Sequence, residues 1–190
     1  EGSVVGAQIF GNDPEVMAQG AALAMEISGC DFIDINMGCP MAKVVSNGDG
    51  SALMKDIPLA ARIVEAVAHA VPVPVTVKCR LGWDRGSINV VELAQAVEAA
   101  GAQAIAVHGR TRTMADWDTI RKAKAAVSIP VIANGDVFSG EAALQCQKRS
   151  GADLIMLGRG VFGDPWLFQE VAAALAGQAT PPRPPLASRV

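Results

Sequence analysis

Cys39 stands in the run Asn36-Met37-Gly38-Cys39-Pro40, directly behind a short apolar stretch. Gly38 and Pro40 are turn formers, and a turn at that point holds a thiol at the end of a strand. A cysteine so presented can act as nucleophile, proton donor or ligand; the plainer alternative is a small buried hydrophobe. Cys30, Cys79 and Cys146 lack this setting and are assigned to packing. Lys78, in Val77-Lys78-Cys79-Arg80, ends another apolar stretch. It is either a surface group whose stem lies along apolar neighbours or a fixed positive charge for an oxyanion. His108 follows a third stretch and leads into Gly109, Arg110 and Arg112. Its imidazole can exchange hydrogen bonds near neutral pH, and the two arginines can bind phosphate or pair with carboxylates. A solvated loop with incidental charges is the alternative, and it suits Arg112 better than His108.

Two further motifs pair glycine with polar groups: Asn134-Gly135-Asp136 and Gly158-Arg159-Gly160. Glycine lets backbone amides approach an anion, and a following helix adds its positive end. Tight connections between strand and helix would ask for the same glycines. Asn47-Gly48-Asp49-Gly50-Ser51 lacks the spacing of a nucleotide-binding loop and reads as a loop over the strand ends, either a substrate contact or, more simply, a conformational requirement.

The elements that must position these residues alternate along the chain. Short, β-branched apolar runs cover residues 4–10, 32–36, 73–79, 104–108, 131–134 and 154–157, and read as parallel strands apolar on both faces. Amphipathic stretches at 14–28, 57–71, 87–100, 119–127 and 140–150 read as helices, the first capped by Asn12-Asp13 with Pro14 at its first turn. Gly29, Gly101 and Gly151 close three of these helices, each placed for a left-handed C-terminal residue. Such alternation makes a parallel sheet with right-handed crossovers. Polar residues end six different strands: Gln8, Asn36, Lys78, His108, Asn134 with Asp136, and Gly158 with Arg159. An open doubly wound sheet gathers such groups at one switch point, whereas a barrel brings all its strand ends to one mouth. The expected fold is therefore α/β, a (β/α)8 TIM barrel. Six runs do not close eight strands, so the first two strands are expected to lie outside this chain. The last two runs are then strands seven and eight, where barrels commonly bind phosphate.

Composition is compatible with that fold and excludes little. In 190 residues, 51% are hydrophobic, 18% charged and only 4% aromatic, and the net charge is -3. A nucleic-acid partner would need a local basic surface, because no global excess of Lys and Arg exists. Four separate cysteines and two histidines form no zinc pattern, so no metal is expected. No secretory signal or bilayer-length apolar run is visible, so a reducing cytoplasm, no membrane partner and free thiols are expected. Thr180-Pro181-Pro182-Arg183-Pro184-Pro185 reads as a stiff linker, which divides the chain into a barrel at 1–179 and a Pro-rich segment at 180–190.

Taken in order, these motifs resemble the tRNA-dihydrouridine synthase family, most closely its bacterial B-type branch. The resemblance is carried by residues 7–11, 34–40, 47–52, 76–83, 107–112, 116–117, 133–136, 158–160 and 164–166, nearly the whole chain before the Pro-rich segment. It implies an FMN-dependent reduction of selected uridines in tRNA to 5,6-dihydrouridine, with NADPH reducing the flavin, by a monomer. Cys39 matches the acid that protonates C5 of uracil while hydride passes from flavin N5 to C6. Gln8 and Lys78 match positions that hold the flavin ring, and His108 lies against it. Asn134, Gly135, Asp136, Gly158 and Arg159 match the ribityl and phosphate cradle, leaving Asn36, Arg110 and Arg112 as candidate substrate contacts. The resemblance also implies a C-terminal helical tRNA-binding domain beyond the Pro-rich segment. The competing readings are another FMN-dependent barrel reductase acting on free pyrimidines, and a non-catalytic RNA-binding protein.

Overall fold

The computed structural model describes residues 2–110, 115–183 and 185. Six strands form one parallel sheet: β1 (Gly6–Ile9), β2 (Phe32–Met37), β3 (Val75–Arg80), β4 (Ala104–His108), β5 (Val131–Asn134) and β6 (Leu154–Met156). They lie side by side in chain order, β1 to β6, and every neighbouring pair is parallel. A doubly wound sheet would reverse direction at a switch point. This one never does, so it is an arc of a (β/α) barrel with β1 and β6 at its ends.

The helices are α1 (Pro14–Ser28), α2 (Ala42–Val45), α3 (Ile57–Ala70), α4 (Val90–Ala99), α5 (Trp117–Ala126), α6 (Gly140–Ser150) and α7 (Leu167–Leu175). Asp13 caps α1 by accepting from the amides of Glu15 and Val16, and Gly29 ends it at φ 60°. Asp56, Asp116 and Ser139 cap α3, α5 and α6 in the same way. Each such cap contributes about 1 kcal/mol. The sequence pattern starts α4 at residue 87. The helix begins three residues later because Gly82 and Ile88 first pair as an isolated bridge and the amides of Asn89 and Val90 turn back to Leu81. Conversely, α5 begins at Trp117, since the capping carboxylate is that of Asp116.

One expectation needs correction. Strands apolar on both faces were anticipated, yet β2 and β3 alternate between buried and half-buried positions. Ile33, Ile35, Met37, Val75, Val77 and Cys79 face the helices and are buried. Burial of each of the large ones is worth roughly 1.5–3 kcal/mol. Asp34, Asn36, Thr76, Lys78 and Arg80 take the opposite, inner face. Asp34 and Thr76 of that face line an open bowl of about 620 Å³, together with Phe32, Ala104, Ala106, Ile132 and Leu154. Only β4, with Ile105, Ala106 and Val107 all buried, meets the original description.

The Pro-rich segment is attached at its start. Arg183 forms ion pairs with Asp164 at 2.8 Å and with Glu170 of α7 at 2.7 Å. Residues 184 and 186–190 of the expected linker lie outside the described residues.

Candidate active site

The C-terminal ends of the strands form one rim, and the polar residues read from the sequence gather there. Register explains the front half. Gln8 of β1 is opposite Asp34 of β2, Asp34 is opposite Thr76 of β3, and Asn36 is opposite Lys78. Gln8 Nε2 donates to Asp34 Oδ2 at 2.6 Å, Thr76 Oγ1 donates to Asp34 Oδ1 at 2.6 Å, and Asn36 Nδ2 donates to Gln8 Oε1 at 2.9 Å. Asn36 Oδ1 then accepts from the amides of Gly38 at 3.0 Å and Cys39 at 2.9 Å.

Cys39 is thus held by its own backbone. Its amide is bound by Asn36, and its carbonyl accepts from the Ser51 amide at 2.9 Å. The glycine-rich run 47–51 proves to be the other jaw of this clamp. Gly50 has φ 58°, and a Cβ there would stand 2.7 Å from the Cys39 carbonyl oxygen. No L side chain fits without moving the turn. Cys39 is half-buried, whereas Cys30, Cys79 and Cys146 are buried, as assigned. Burial pushes the Cys79 thiol up to about 12 and that of Cys146 up to about 11, so neither is a ready nucleophile.

Lys78 sits deep on the inner face, and burial lowers its ammonium below the ordinary value, opposed by the Cys79 thiolate form and the Asp34 charge. Asp34 is shifted the other way. Burial raises it, against the stabilising hydrogen bonds from Thr76 and Gln8 and the charge of Lys78. Arg80, two residues beyond Lys78 on the same face, donates from Nε to the Gly38 carbonyl at 2.6 Å. Neither Asp34 nor Arg80 was assigned a role from sequence. The strand period of two was the available signal, since Asp34 must share a face with Asn36, and Arg80 with Lys78.

The back half is built differently. His108, Asn134, Gly135, Asp136, Gly158 and Arg159 line one cavity of about 220 Å³. Gly135 has φ 117°, and a Cβ on it would lie 2.8 Å from His108 Cδ2. Trp117 Nε1 donates to its carbonyl at 3.1 Å and fixes the turn. Asp136 takes φ 56°, the one described non-glycine residue with positive φ. It holds that conformation because its carboxylate is fixed: the Ala115 amide donates to it at 2.8 Å, Arg110 pairs with it, and Arg159 approaches to 3.8 Å. Burial acts to raise the Asp136 carboxyl, but the Ala115 amide and the guanidinium groups outweigh it and hold it below the usual range. Arg110 is therefore folded onto Asp136 at the cavity wall. Arg112 lies outside the described residues.

His108 joins the two halves, opposite Arg80 on one side and Asn134 on the other. Burial, then the positive charges of Lys78, Arg80 and Arg110, lower it to about 4 against the opposing pull of Asp136. At neutral pH it is an uncharged imidazole with one donor and one acceptor nitrogen. The rim as a whole can hold an anionic end at the back and present a thiol on a clamped turn at the front. Among the described residues, no group of three or more His, Cys, Asp or Glu is placed to hold a metal ion. No helix among them is long and apolar enough to cross a membrane.

Comparison with known proteins identifies relatives of the chain. Residues 1–190 match the family model for dihydrouridine synthase (Dus). A probable tRNA-dihydrouridine synthase of Rhizobium leguminosarum bv. phaseoli is 46% identical over 185 residues, covering 95% of this chain and 57% of that protein. The tRNA-dihydrouridine synthase B of Vibrio cholerae is 46% identical over 191 residues, with coverages of 98% and 59%. That of Pseudomonas aeruginosa is 48% identical over 169 residues, with coverages of 86% and 51%. The chain spans a little over half the length of these curated relatives. Among solved structures, a putative mandelate racemase/muconate lactonizing enzyme from Labrenzia alexandrii superposes with a TM-score of 0.68 at 13% identity, over 92% of this chain and 46% of the other. At that identity the likeness is one of barrel fold.

Proposed function

The chain belongs to the dihydrouridine synthase family, and from that premise we propose that the whole protein is an FMN-dependent tRNA-dihydrouridine synthase. In this reading it reduces the C5–C6 double bond of selected uridines in tRNA to 5,6-dihydrouridine, in the cytoplasm, with NADPH as electron source. The observation that carries the reading is the clamped Cys39, held at the same rim as a glycine-walled cavity.

The residues present suit FMN. A Cβ at Gly158 would meet nothing closer than Asn134 Nδ2 at 3.9 Å, so that wall is open to a ligand, and the Arg159 guanidinium beside it is 63% exposed. Gly135, Gly158 and Arg159 would hold the phosphate end, and Asn134 and Asp136 the region next to it. Gln8, Lys78 and His108 would hold the ring. Bound flavin would supply the hydride that reaches C6 of uracil. Lys78, positive and partly desolvated, stabilises negative charge developing on either partner. His108, being neutral, contributes a hydrogen bond without adding a second cation. Cys39 gives its proton to C5, and the clamp fixes the backbone that carries that thiol before substrate arrives. Asn36 and Arg110 are the described candidates for substrate contact.

The test uses the full-length protein purified with flavin. It should be yellow, and Cys39→Ala should stay yellow while losing dihydrouridine formation on tRNA. Full activity of that variant removes the acid role. Turnover of free pyrimidine with none on tRNA replaces the tRNA enzyme with a small-molecule reductase, and RNA binding by apo-protein without NADPH oxidation replaces it with a binding protein.

A further inference from the structure

We propose that Asp34 is a positioning residue, which sets the orientation of the Cys39 turn through a directional hydrogen-bond relay running Asp34, Gln8, Asn36, Cys39. The catalytic consequence rests on the reading of Cys39 as proton donor; the relay itself does not.

Donor and acceptor sense fixes the relay. A carboxylate can only accept, and a peptide N–H can only donate. These two groups stand at opposite ends of the relay, with two side-chain amides between them. At the first end, both Asp34 oxygens are occupied, by Thr76 Oγ1 and by Gln8 Nε2, each at 2.6 Å. Gln8 must therefore turn its NH2 toward Asp34, which leaves Oε1 facing Asn36. Asn36 answers with Nδ2 at 2.9 Å. Its remaining atom, Oδ1, is then aimed at the turn, where it receives two amides, Gly38 at 3.0 Å and Cys39 at 2.9 Å.

Reversing either amide would place donor against donor at the turn or acceptor against acceptor at Asp34. The sense of each amide is thus determined from both ends. Strand register supplies the geometry, since Gln8, Asp34 and Thr76 form one row across β1, β2 and β3, and Asn36 lies one pleat further toward the rim. Gly38 and Cys39 are the only members of the chain from Asp34 to the thiol that lie outside a strand.

An asparagine at position 34 keeps the relay. Its Oδ1 can still accept from Gln8, while its NH2 faces the Thr76 hydroxyl, which can rotate to accept. Alanine removes the anchor and lets Gln8 and Asn36 reorient. Glutamate at position 8 sets two carboxylates against each other, but with asparagine at 34 the row is complete again, because that NH2 can donate to the glutamate.

The experiment measures amide hydrogen exchange at Gly38 and Cys39 in the full-length, flavin-loaded protein, together with kcat and KM on tRNA. Asp34→Ala should speed exchange at both amides roughly tenfold and lower kcat by a similar factor, the scale of one lost net hydrogen bond, with KM little changed. Asp34→Asn should stay within about threefold of the parent in both, on the same scale. The relay is overturned by unchanged exchange in Asp34→Ala, or by Asp34→Asn behaving like Asp34→Ala, which would assign the effect to charge. Should Asp34→Ala not fold, Gln8→Glu compared with Gln8→Glu/Asp34→Asn decides the matter. Recovered protection in the double variant supports the relay, and no recovery overturns it. Faster exchange in Asp34→Ala with kcat intact supports the relay but overturns its catalytic consequence, while the acid role of Cys39 stands or falls with Cys39→Ala, so the two readings fail separately.

Discussion

The front arc, β1 to β3, and the back arc, β4 to β6, organise their rims by different physics. At the front, neutral amides, one carboxylate and one hydroxyl pass a sense of direction from strand to strand until it reaches the Cys39 backbone. At the back, glycines clear space while ion pairs hold the walls, with Asp136 gripping Arg110 and approached by Arg159. Hydrogen bonds are directional and Coulomb forces are not. The front arc holds the Cys39 turn mainly by the first, and the back arc adds the second, with the Arg110–Asp136 pair beside the hydrogen bonds from Ala115 and Trp117.

The sharpest way to separate the arcs is to remove the thiol. Cys39→Ala should cut kcat on tRNA by roughly 100- to 10,000-fold, the range for loss of a positioned acid, while flavin absorbance per protein stays at the parent level. Loss of flavin by this variant would mean that the front arc also binds. Gly135→Ala should do the reverse. A Cβ at φ 117° and 2.8 Å from His108 costs on the order of 1–3 kcal/mol. That should lower the melting temperature by several degrees and weaken flavin retention, both measurable by thermal shift and absorbance. Wild-type flavin content in Gly135→Ala would undo the assignment of the cavity.

Acid should distinguish the arcs next. The folded protein holds His108 at about 4, below the value of about 6.5 for an unfolded histidine. Between these values the unfolded chain binds a proton that the fold does not, so this stabilisation is complete above about pH 6.5 and is lost as pH falls toward 4. Allowing for solvent screening of a half-exposed ring, the loss is about 1–2 kcal/mol. Asp136, held below the usual carboxyl range, adds to the same trend at lower pH. Melting curves of His108→Gln should flatten between pH 6.5 and 4 relative to the parent; equal slopes would mean that His108 is not held neutral. The smallest effect should come from outside both arcs. Asp56 caps α3 through the Leu59 amide at 2.9 Å, and Asp56→Ala should cost about 1 kcal/mol of stability with kcat and flavin content unchanged. A change in either would show that the rim feels its scaffold.

Much of this was legible in the chain. Helices α1 and α6 were bounded by Pro14, Gly29 and Gly151, residues whose backbone preferences are local and strong. The strands followed from β-branched runs, but the polar residue ends the strand only in β4 and β5, at His108 and Asn134. Strands β1, β2 and β3 run one or two residues past Gln8, Asn36 and Lys78. What could not be read was contact across strands. Nothing near Asp34 in sequence announces Gln8, which is 26 positions away, or Thr76, which is 42 away. The clamp of Gly50 on Cys39 was hidden for the same reason, and its glycine was readable only as a turn. Arg110 could be read only as a cation for a phosphate or a carboxylate, because its partner Asp136 belongs to the next strand's turn. Short helices such as α2 (Ala42–Val45) are too brief to show a period.

The alternation of β3 has one more consequence, for oxidative damage. Gly38 packs against the Cys79 backbone, a Cβ on it lying 3.3 Å from the Cys79 carbonyl carbon, so the two thiol-bearing segments are neighbours. Yet Cys79 belongs to the buried face of the sheet that meets the helices, and Cys39 to the rim. A sulfenic acid formed at Cys39 has no resolving thiol in that neighbour. Peroxide treatment followed by mass spectrometry should find sulfinate at Cys39 before any Cys39–Cys79 disulfide. A fold that holds this turn so firmly also leaves its thiol without a redox partner on the strand beside it.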